Sequence, residues 1–106
     1  MPSNVTVFYP QPKEGEFFDM KYYIDTHMPI ANEKWSPLGL KNWQILQFGP
    51  DAPYHVVAVL NWENEGEAEI ALKHAAATDV LADVPNFTNL KPVLKAGNIT
   101  GTWERK

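Results

Sequence analysis

The sequence contains no cysteine, which excludes disulfide bonds, thiolate metal sites and a cysteine nucleophile. It is also poor in basic residues, with 9 Lys and Arg against 13 Asp and Glu and a formal net charge of −4. Nucleic acids and anionic membrane surfaces are therefore not expected partners, because both attract clustered positive charge. No apolar run approaches the ~20 residues of a membrane span, and no export signal is visible. We expect a cytoplasmic protein.

Several strong catalytic motifs are missing as well. The chain has no H-E-x-x-H, G-x-S-x-G, Walker A or G-x-G-x-x-G pattern, each of which would indicate a defined chemistry. Its three histidines, His27, His55 and His74, are not close enough in sequence to form a typical zinc motif, so we expect no metal site. A haem group needs only one axial histidine, and a haem-binding protein therefore remains an alternative at this stage.

The length of 106 residues is typical of a single domain covering positions 1–106. Local patterns predict helices over 17–27 and 64–83, and strands over 5–10, 41–49, 54–63 and 98–104. The order β-α-β-β-α-β is that of an α+β, ferredoxin-like fold with a four-stranded antiparallel sheet. Right-handed crossovers would place both helices on one face of this sheet.

The predicted strands carry apolar side chains on both faces. The third strand includes Val56, Val57, Ala58, Val59 and Leu60, whereas a half-solvated strand alternates apolar and polar residues. With both helices on one face, no segment remains to cover the other, and soluble monomers rarely expose such a patch. We expect a second copy of the chain to cover it, although bulky loops could do so instead.

His27 lies on the apolar stripe of the first predicted helix, two residues before Pro29. Proline lacks an N–H and crowds the preceding turn, so we expect the helix to end or kink near His27. Burial there would favour the neutral imidazole, whereas a helix C-terminus would favour the charged one. Such a histidine can exchange protons near neutral pH. The alternative is a core histidine without a catalytic role.

Two motifs in the chain resemble the EthD family of the dimeric α/β-barrel superfamily, named for its association with ethyl tert-butyl ether degradation. The matching residues are Phe18, Asp19, Tyr22, Tyr23, His27 and Pro29 in the first motif, and Asp83, Pro85 and Phe87 in the second. The resemblance covers essentially the whole chain and implies a protomer whose sheet packs against that of a partner in a homodimer. It also implies that His27 lines a cleft.

From the residues and this resemblance together, we expect an enzyme that acts on a small hydrophobic or aromatic compound in a degradative or secondary pathway. The chemistry would be cofactor-free proton transfer, of an oxidoreductase-like or isomerase/lyase-like kind, with His27 as general acid/base and Tyr23 as a hydrogen-bond donor. The expected substrate-binding residues are Phe8, Tyr22, Trp43 and Phe87. The alternative is a non-catalytic protein that holds a small ligand for a partner oxygenase.

Overall fold

The computed structural model describes residues 1–106 and contains one four-stranded sheet with the order β2-β3-β1-β4. The strands are β1 (Ser3–Pro10), β2 (Leu40–Gln47), β3 (Tyr54–Trp62) and β4 (Val93–Asn98). All three neighbouring pairs are antiparallel, and the helices pack on one face of the sheet. This arrangement confirms the predicted ferredoxin-like α+β fold.

The helical layer consists of α1 (Met20–Tyr22), α2 (Met28–Trp35), α3 (Glu67–Lys73) and α4 (Ala75–Ala82). A π-helical turn, Tyr23–His27, joins α1 directly to α2, and short 3₁₀ turns occur at Ser36–Leu38 and Val84–Asn86. None of these helices has both the length and the apolar character needed to cross a membrane.

Of the two expected effects of Pro29, an end of the first helix near His27 was wrong, because the helical path continues to Trp35. The disturbance caused by Pro29 appears as the π-helical turn, in which the N–H of Met28 donates to the carbonyl of Tyr23, five residues back. This wider turn accommodates the ring of Pro29, which has no N–H to donate to a carbonyl of the preceding turn. His27 therefore lies at the end of a π-bulge, a feature that is frequent at functional sites.

The second predicted helix is divided in two at His74, whose extended backbone (φ −75°, ψ 153°) interrupts the helical hydrogen bonds. Its Nδ1 accepts a hydrogen bond from the N–H of Ala76 at 3.0 Å and so caps α4. α3 begins at Glu67, three residues after the predicted start of this helix at position 64. Its N-cap is Gly66 with φ +81°, a conformation that glycine adopts without steric cost.

The prediction of a last strand over 98–104 was also wrong, because β4 covers Val93–Asn98. Its pairing with β1 aligns Val93 with Phe8 and Asn98 with Ser3. Residues 99–106 have no regular secondary structure. The strand begins with the apolar residues Val93 and Leu94, directly after Pro92, and ends where the predicted strand would have begun.

The two faces of the sheet differ in their surroundings. Alternate residues of the central strands form the core with the helices: Val5, Val7 and Tyr9 of β1, and Val56, Ala58, Leu60 and Trp62 of β3. The opposite face, which we call the open face, has an apolar row across all four strands. The register aligns Val93, Phe8, Val57 and Leu46 in this row. Helices cover only the first of these faces.

Candidate active site

His27 is buried, with 4% of its surface exposed, and it forms an ion pair or hydrogen bond with a carboxylate. Its Nδ1 lies 2.9 Å from Oδ2 of Asp83. The π-helical turn positions His27, whereas Asp83 lies at the C-terminal cap of α4. The pair therefore joins the π-helical turn to the end of α4, and its two members are 56 positions apart in the sequence.

Asp83 also accepts hydrogen bonds through its other carboxylate oxygen. Oδ1 accepts from the Tyr22 hydroxyl at 2.8 Å and from Nδ2 of Asn86 at 2.8 Å. Burial alone would raise the pKa of Asp83, but the hydrogen bonds from Asn86, His27 and Tyr22 hold this pKa below its ordinary value of 3.8. Asp83 is therefore ionised at neutral pH and acts only as an acceptor.

An ionised Asp83 determines the tautomer of His27. Because the carboxylate can only accept, Nδ1 of His27 carries the proton, and the lone pair of the neutral ring is on Nε2. Burial lowers the pKa of His27 below its ordinary value of 6.5, more strongly than the hydrogen bond and charge of Asp83 raise it. The neutral imidazole is therefore favoured at pH 7, and its hydrogen bond to Asp83 is made through Nδ1.

Aromatic rings enclose the imidazole. Tyr23 stacks on it at a centroid distance of 5.4 Å with an interplanar angle of 15°, and Phe87 contacts it at 4.5 Å. Burial strongly raises the pKa of Tyr23 and that of neighbouring Tyr9. Both phenols therefore keep their protons at neutral pH and remain potential hydrogen-bond donors.

A cavity of about 20 Å³ adjoins His27, between the sheet and the helices. Its walls are almost entirely hydrophobic and come from β1, β3, β4, α2 and α4. A volume of this size holds about one water molecule. Leu81, Val84 and Leu94 line both this cavity and an outer groove of about 420 Å³ that also includes Lys91. The cavity is thus separated from the groove by only a few aliphatic side chains.

The structure brings together His27, Tyr22, Tyr23 and Phe87 out of the six predicted site residues. Phe8 lies on the open face, where its ring contacts Tyr54 at 4.9 Å, so the sheet separates it from His27. Trp43, on β2, donates from Nε1 to Oδ1 of Asn32 at 2.6 Å and does not line the cavity. Neither residue is part of the His27 cluster in this protomer.

Sequence reasoning did not include Asp83 among the site residues, although it is the direct partner of His27. The available signal was its position in the second EthD-like motif, three residues before Asn86 and four before Phe87. The cavity-lining residues Met28, Ala31 and Trp35 were also missed, because they lie beyond the helix predicted over 17–27. No group of three or more His, Cys, Asp or Glu side chains is arranged to hold a metal ion.

We expect the stability of the protein to fall in acid because of the His27–Asp83 pair. The pKa of His27 is lower in the folded protein than its ordinary value of 6.5, so the unfolded chain binds more protons, and the free energy of unfolding decreases as the pH falls below about 6.5. The lowered pKa of Asp83 adds a further loss below about 3.8. Urea unfolding of the wild type and of His27→Gln between pH 7.5 and 5 measures the first effect. Identical pH slopes in the two proteins would contradict it.

Comparison with solved structures identifies relatives of the same fold. An EthD-like protein from Ralstonia eutropha JMP134 superposes with a TM-score of 0.75 and 23% identity, over 94% of this chain and 93% of that one. An EthD family protein from Bacillus halodurans C-125 gives a TM-score of 0.58 and 14% identity, over 88% of this chain and 97% of that one. The resemblance to EthD proteins is therefore confirmed at the level of the fold.

The same fold also occurs in an enzyme of known type. A cofactor-independent oxygenase from Streptomyces nogalater gives a TM-score of 0.54 and 10% identity, over 98% of this chain and 97% of that one. No model of a known protein family matches the sequence, and no functionally curated protein matches it. At these identities the similarity establishes the fold, and the chemistry has to be argued from the site.

Proposed function

We propose that this chain is a cytoplasmic, homodimeric enzyme that transfers protons on a small hydrophobic or aromatic substrate, with His27 as general acid/base. The observation that carries this proposal is that His27 lines an apolar cavity while its Nδ1 is held by the carboxylate of Asp83 at 2.9 Å, which leaves Nε2 as the basic nitrogen. A base oriented by a third group is the recurring arrangement in acid–base catalysis.

In the proposed reaction, Nε2 of His27 removes a proton from a carbon or oxygen atom of the substrate, and the electron pair of the broken bond stays on the substrate. The ring becomes an imidazolium, which the negative charge of Asp83 stabilises through the Nδ1–H bond. Return of the same proton to a different atom of the substrate gives an isomer. This sequence needs no added oxidant or organic cofactor.

A substrate larger than water has to displace wall residues, because the cavity is only about 20 Å³. The outer groove beside α4 and β4 offers a route of entry, since Leu81, Val84 and Leu94 border both spaces. Met28 also lines the cavity, and its unbranched side chain adapts readily to a bound molecule. We propose that the substrate enters from the groove by moving these side chains.

A haem group does not fit the residues present. His27 is enclosed by Tyr23 and Phe87, and the adjoining cavity of about 20 Å³ is far smaller than a porphyrin ring. The alternative function is non-catalytic storage of a small ligand for an oxygenase. This alternative predicts that the protein binds such ligands but does not accelerate proton exchange.

The proposed activity can be tested without knowledge of the natural substrate. Purified protein in D₂O is incubated with small enolisable ketones, including 2-cyclohexenone and 1-indanone, and exchange of the protons next to the carbonyl is followed by NMR. We expect acceleration over buffer with at least one of these probes, and loss of the acceleration in His27→Gln. Binding without acceleration would support the storage alternative.

We further propose that the open face pairs with the same face of a second copy. The apolar row of Val93, Phe8, Val57 and Leu46 crosses the entire sheet. Polar residues occupy the other end of the open face, where Asn61 accepts a hydrogen bond from Asn4 at 3.1 Å and donates one to Asn42 at 2.8 Å. Four strands spaced about 4.8 Å apart, each about eight residues long, give roughly 500 Å² of flat sheet before side-chain relief is counted. This approaches the ~800 Å² per partner of a standard interface.

An aspartate in the apolar row should prevent this pairing. Leu46 is 42% exposed on the open face, and Ile70 of α3 is 62% exposed on the helical side. We expect the wild type and Ile70→Asp to sediment as dimers at micromolar concentration, and Leu46→Asp to sediment as a monomer, because its charge would be buried without a partner. A monomeric wild type, or a dimer in all three proteins, would contradict this interface.

A further inference from the structure

The indole N–H of Trp35 is a buried donor for which the protein provides no acceptor. Trp35 is 2% exposed, and the only buried side-chain nitrogen or oxygen atoms without a hydrogen-bond partner are its Nε1 and that of Trp62. A buried donor without an acceptor costs roughly 1–3 kcal/mol, so native proteins retain few of them. Each therefore requires an explanation.

The two tryptophans contact each other but differ in what else they reach. Their rings meet edge to face, with centroids 5.6 Å apart and an interplanar angle of 66°. In such a pair only one ring can direct its edge at the face of the other, so a weak N–H···π contact can serve at most one of the two donors. Trp35 lines the cavity beside His27, whereas Trp62 does not.

The position of Trp35 in the helix relates it to His27. Trp35 follows His27 by eight residues, or about two helical turns, which places both on the same side of the continuous path formed by the π-helical turn and α2. The rise over eight residues is roughly 12 Å, and long helical side chains lean back towards the N-terminus of their helix. The indole and the imidazole therefore both line the same cavity.

We propose that Trp35 Nε1–H is the second polar anchor of the substrate and donates a hydrogen bond to an oxygen atom of it. This inference rests on the proposed function of His27. It defines the substrate as a hydrophobic, conjugated molecule with a carbonyl oxygen at one end. When Nε2 of His27 removes a proton from carbon, the C–H electron pair moves through the conjugated system onto that oxygen. A donor in a water-poor wall stabilises the resulting charge.

The hydrogen bond can be observed directly by NMR of protein labelled with ¹⁵N in its indoles. The probes are 2-cyclohexenone, which carries the oxygen, and cyclohexene, which lacks it. We expect 2-cyclohexenone to shift the Trp35 N–H resonance and cyclohexene to leave it close to its original position. The resonances of Trp35 and Trp62 are assigned from Trp35→Phe and Trp62→Phe.

The same variants test the energetic contribution. We expect Trp35→Phe to bind 2-cyclohexenone about 3- to 10-fold more weakly, because one hydrogen bond is lost, and to bind cyclohexene with less change. Trp62→Phe also removes a buried unpartnered N–H, but outside the cavity, and should keep the wild-type preference for the oxygen-bearing probe.

The outcomes separate this inference from the proposed function. In one outcome, 2-cyclohexenone shifts the ring resonances of His27 but not the N–H resonance of Trp35, and Trp35→Phe keeps the wild-type preference for 2-cyclohexenone over cyclohexene. The anchor is then disproved, and His27 retains its proposed role. If neither residue responds, both proposals are disproved. The wild-type spectra remain informative even if Trp35→Phe fails to fold, because they do not depend on that variant.

Discussion

Replacement of His27 by glutamine is expected to lower the rate of enzyme-catalysed proton exchange by about 10²- to 10⁴-fold, the usual contribution of a general acid/base. Glutamine is similar in polarity but cannot take up a proton near neutral pH. In the wild type, the carboxylate of Asp83 accepts from Nδ1 of His27 at 2.9 Å, and the amide of the glutamine can still donate to this carboxylate. The variant should therefore fold and dimerise while losing activity, as measured by the rate of deuterium incorporation into the ketone probe.

Asp83→Asn provides the matched test of orientation. An asparagine amide can donate its own N–H to Nδ1, which would shift the proton of the neutral imidazole to Nε2 and remove the lone pair that accepts the substrate proton. We expect a smaller but clear loss of exchange activity in Asp83→Asn, with Tyr22 and Asn86 still able to contact the side chain. Full activity in His27→Gln would disprove the acid–base assignment, whatever the behaviour of Asp83→Asn.

The arrangement of strands and helices was predictable because each signal is local. The alternating and apolar segments around Val7, Ile45 and Ala58 indicated three of the four strands, and the crossover rule then placed the helices on one face. The errors occurred where a tertiary contact decides the backbone. Pro29 normally ends a helix, but a π-helical turn accommodated it. His74 interrupts a favourable helical segment because its side chain caps the next helix.

The candidate site was only partly predictable, for a related reason. His27 and Tyr23 share one helical face, so their spacing showed that they lie together. Asp83 is 56 residues away in the sequence, and only the fold brings its carboxylate to the imidazole. Phe8 and Trp43 were assigned to the site because aromatic residues often line pockets. The strand register, which decides the face of each residue, places Phe8 opposite Val57 on the open face.

Phe87→Ala is expected to lower the free energy of unfolding by about 3–5 kcal/mol, the range for removal of a buried aromatic ring. Phe87 is fully buried, at 0% exposure. Its ring lies 4.5 Å from that of His27, 4.9 Å from Tyr23 and 5.4 Å from Phe18. Because a small domain has only about 5–15 kcal/mol of total stability, this loss should be evident as a large decrease in the urea midpoint and in the melting temperature.

Phe17→Ala is the control, because Phe17 is a phenylalanine near the same cluster that is 48% exposed. Its contact with Asn89 uses the backbone N–H, so the substitution leaves that hydrogen bond in place and should change stability by about 0.5 kcal/mol or less. A loss below about 1 kcal/mol in Phe87→Ala would mean that the surrounding rings collapse into the space. The imidazole would then not depend on Phe87 for its position. A large loss of stability in Phe87→Ala, with none in Phe17→Ala, would instead show that the Phe87 ring packs against the imidazole of His27 and keeps it beside Asp83.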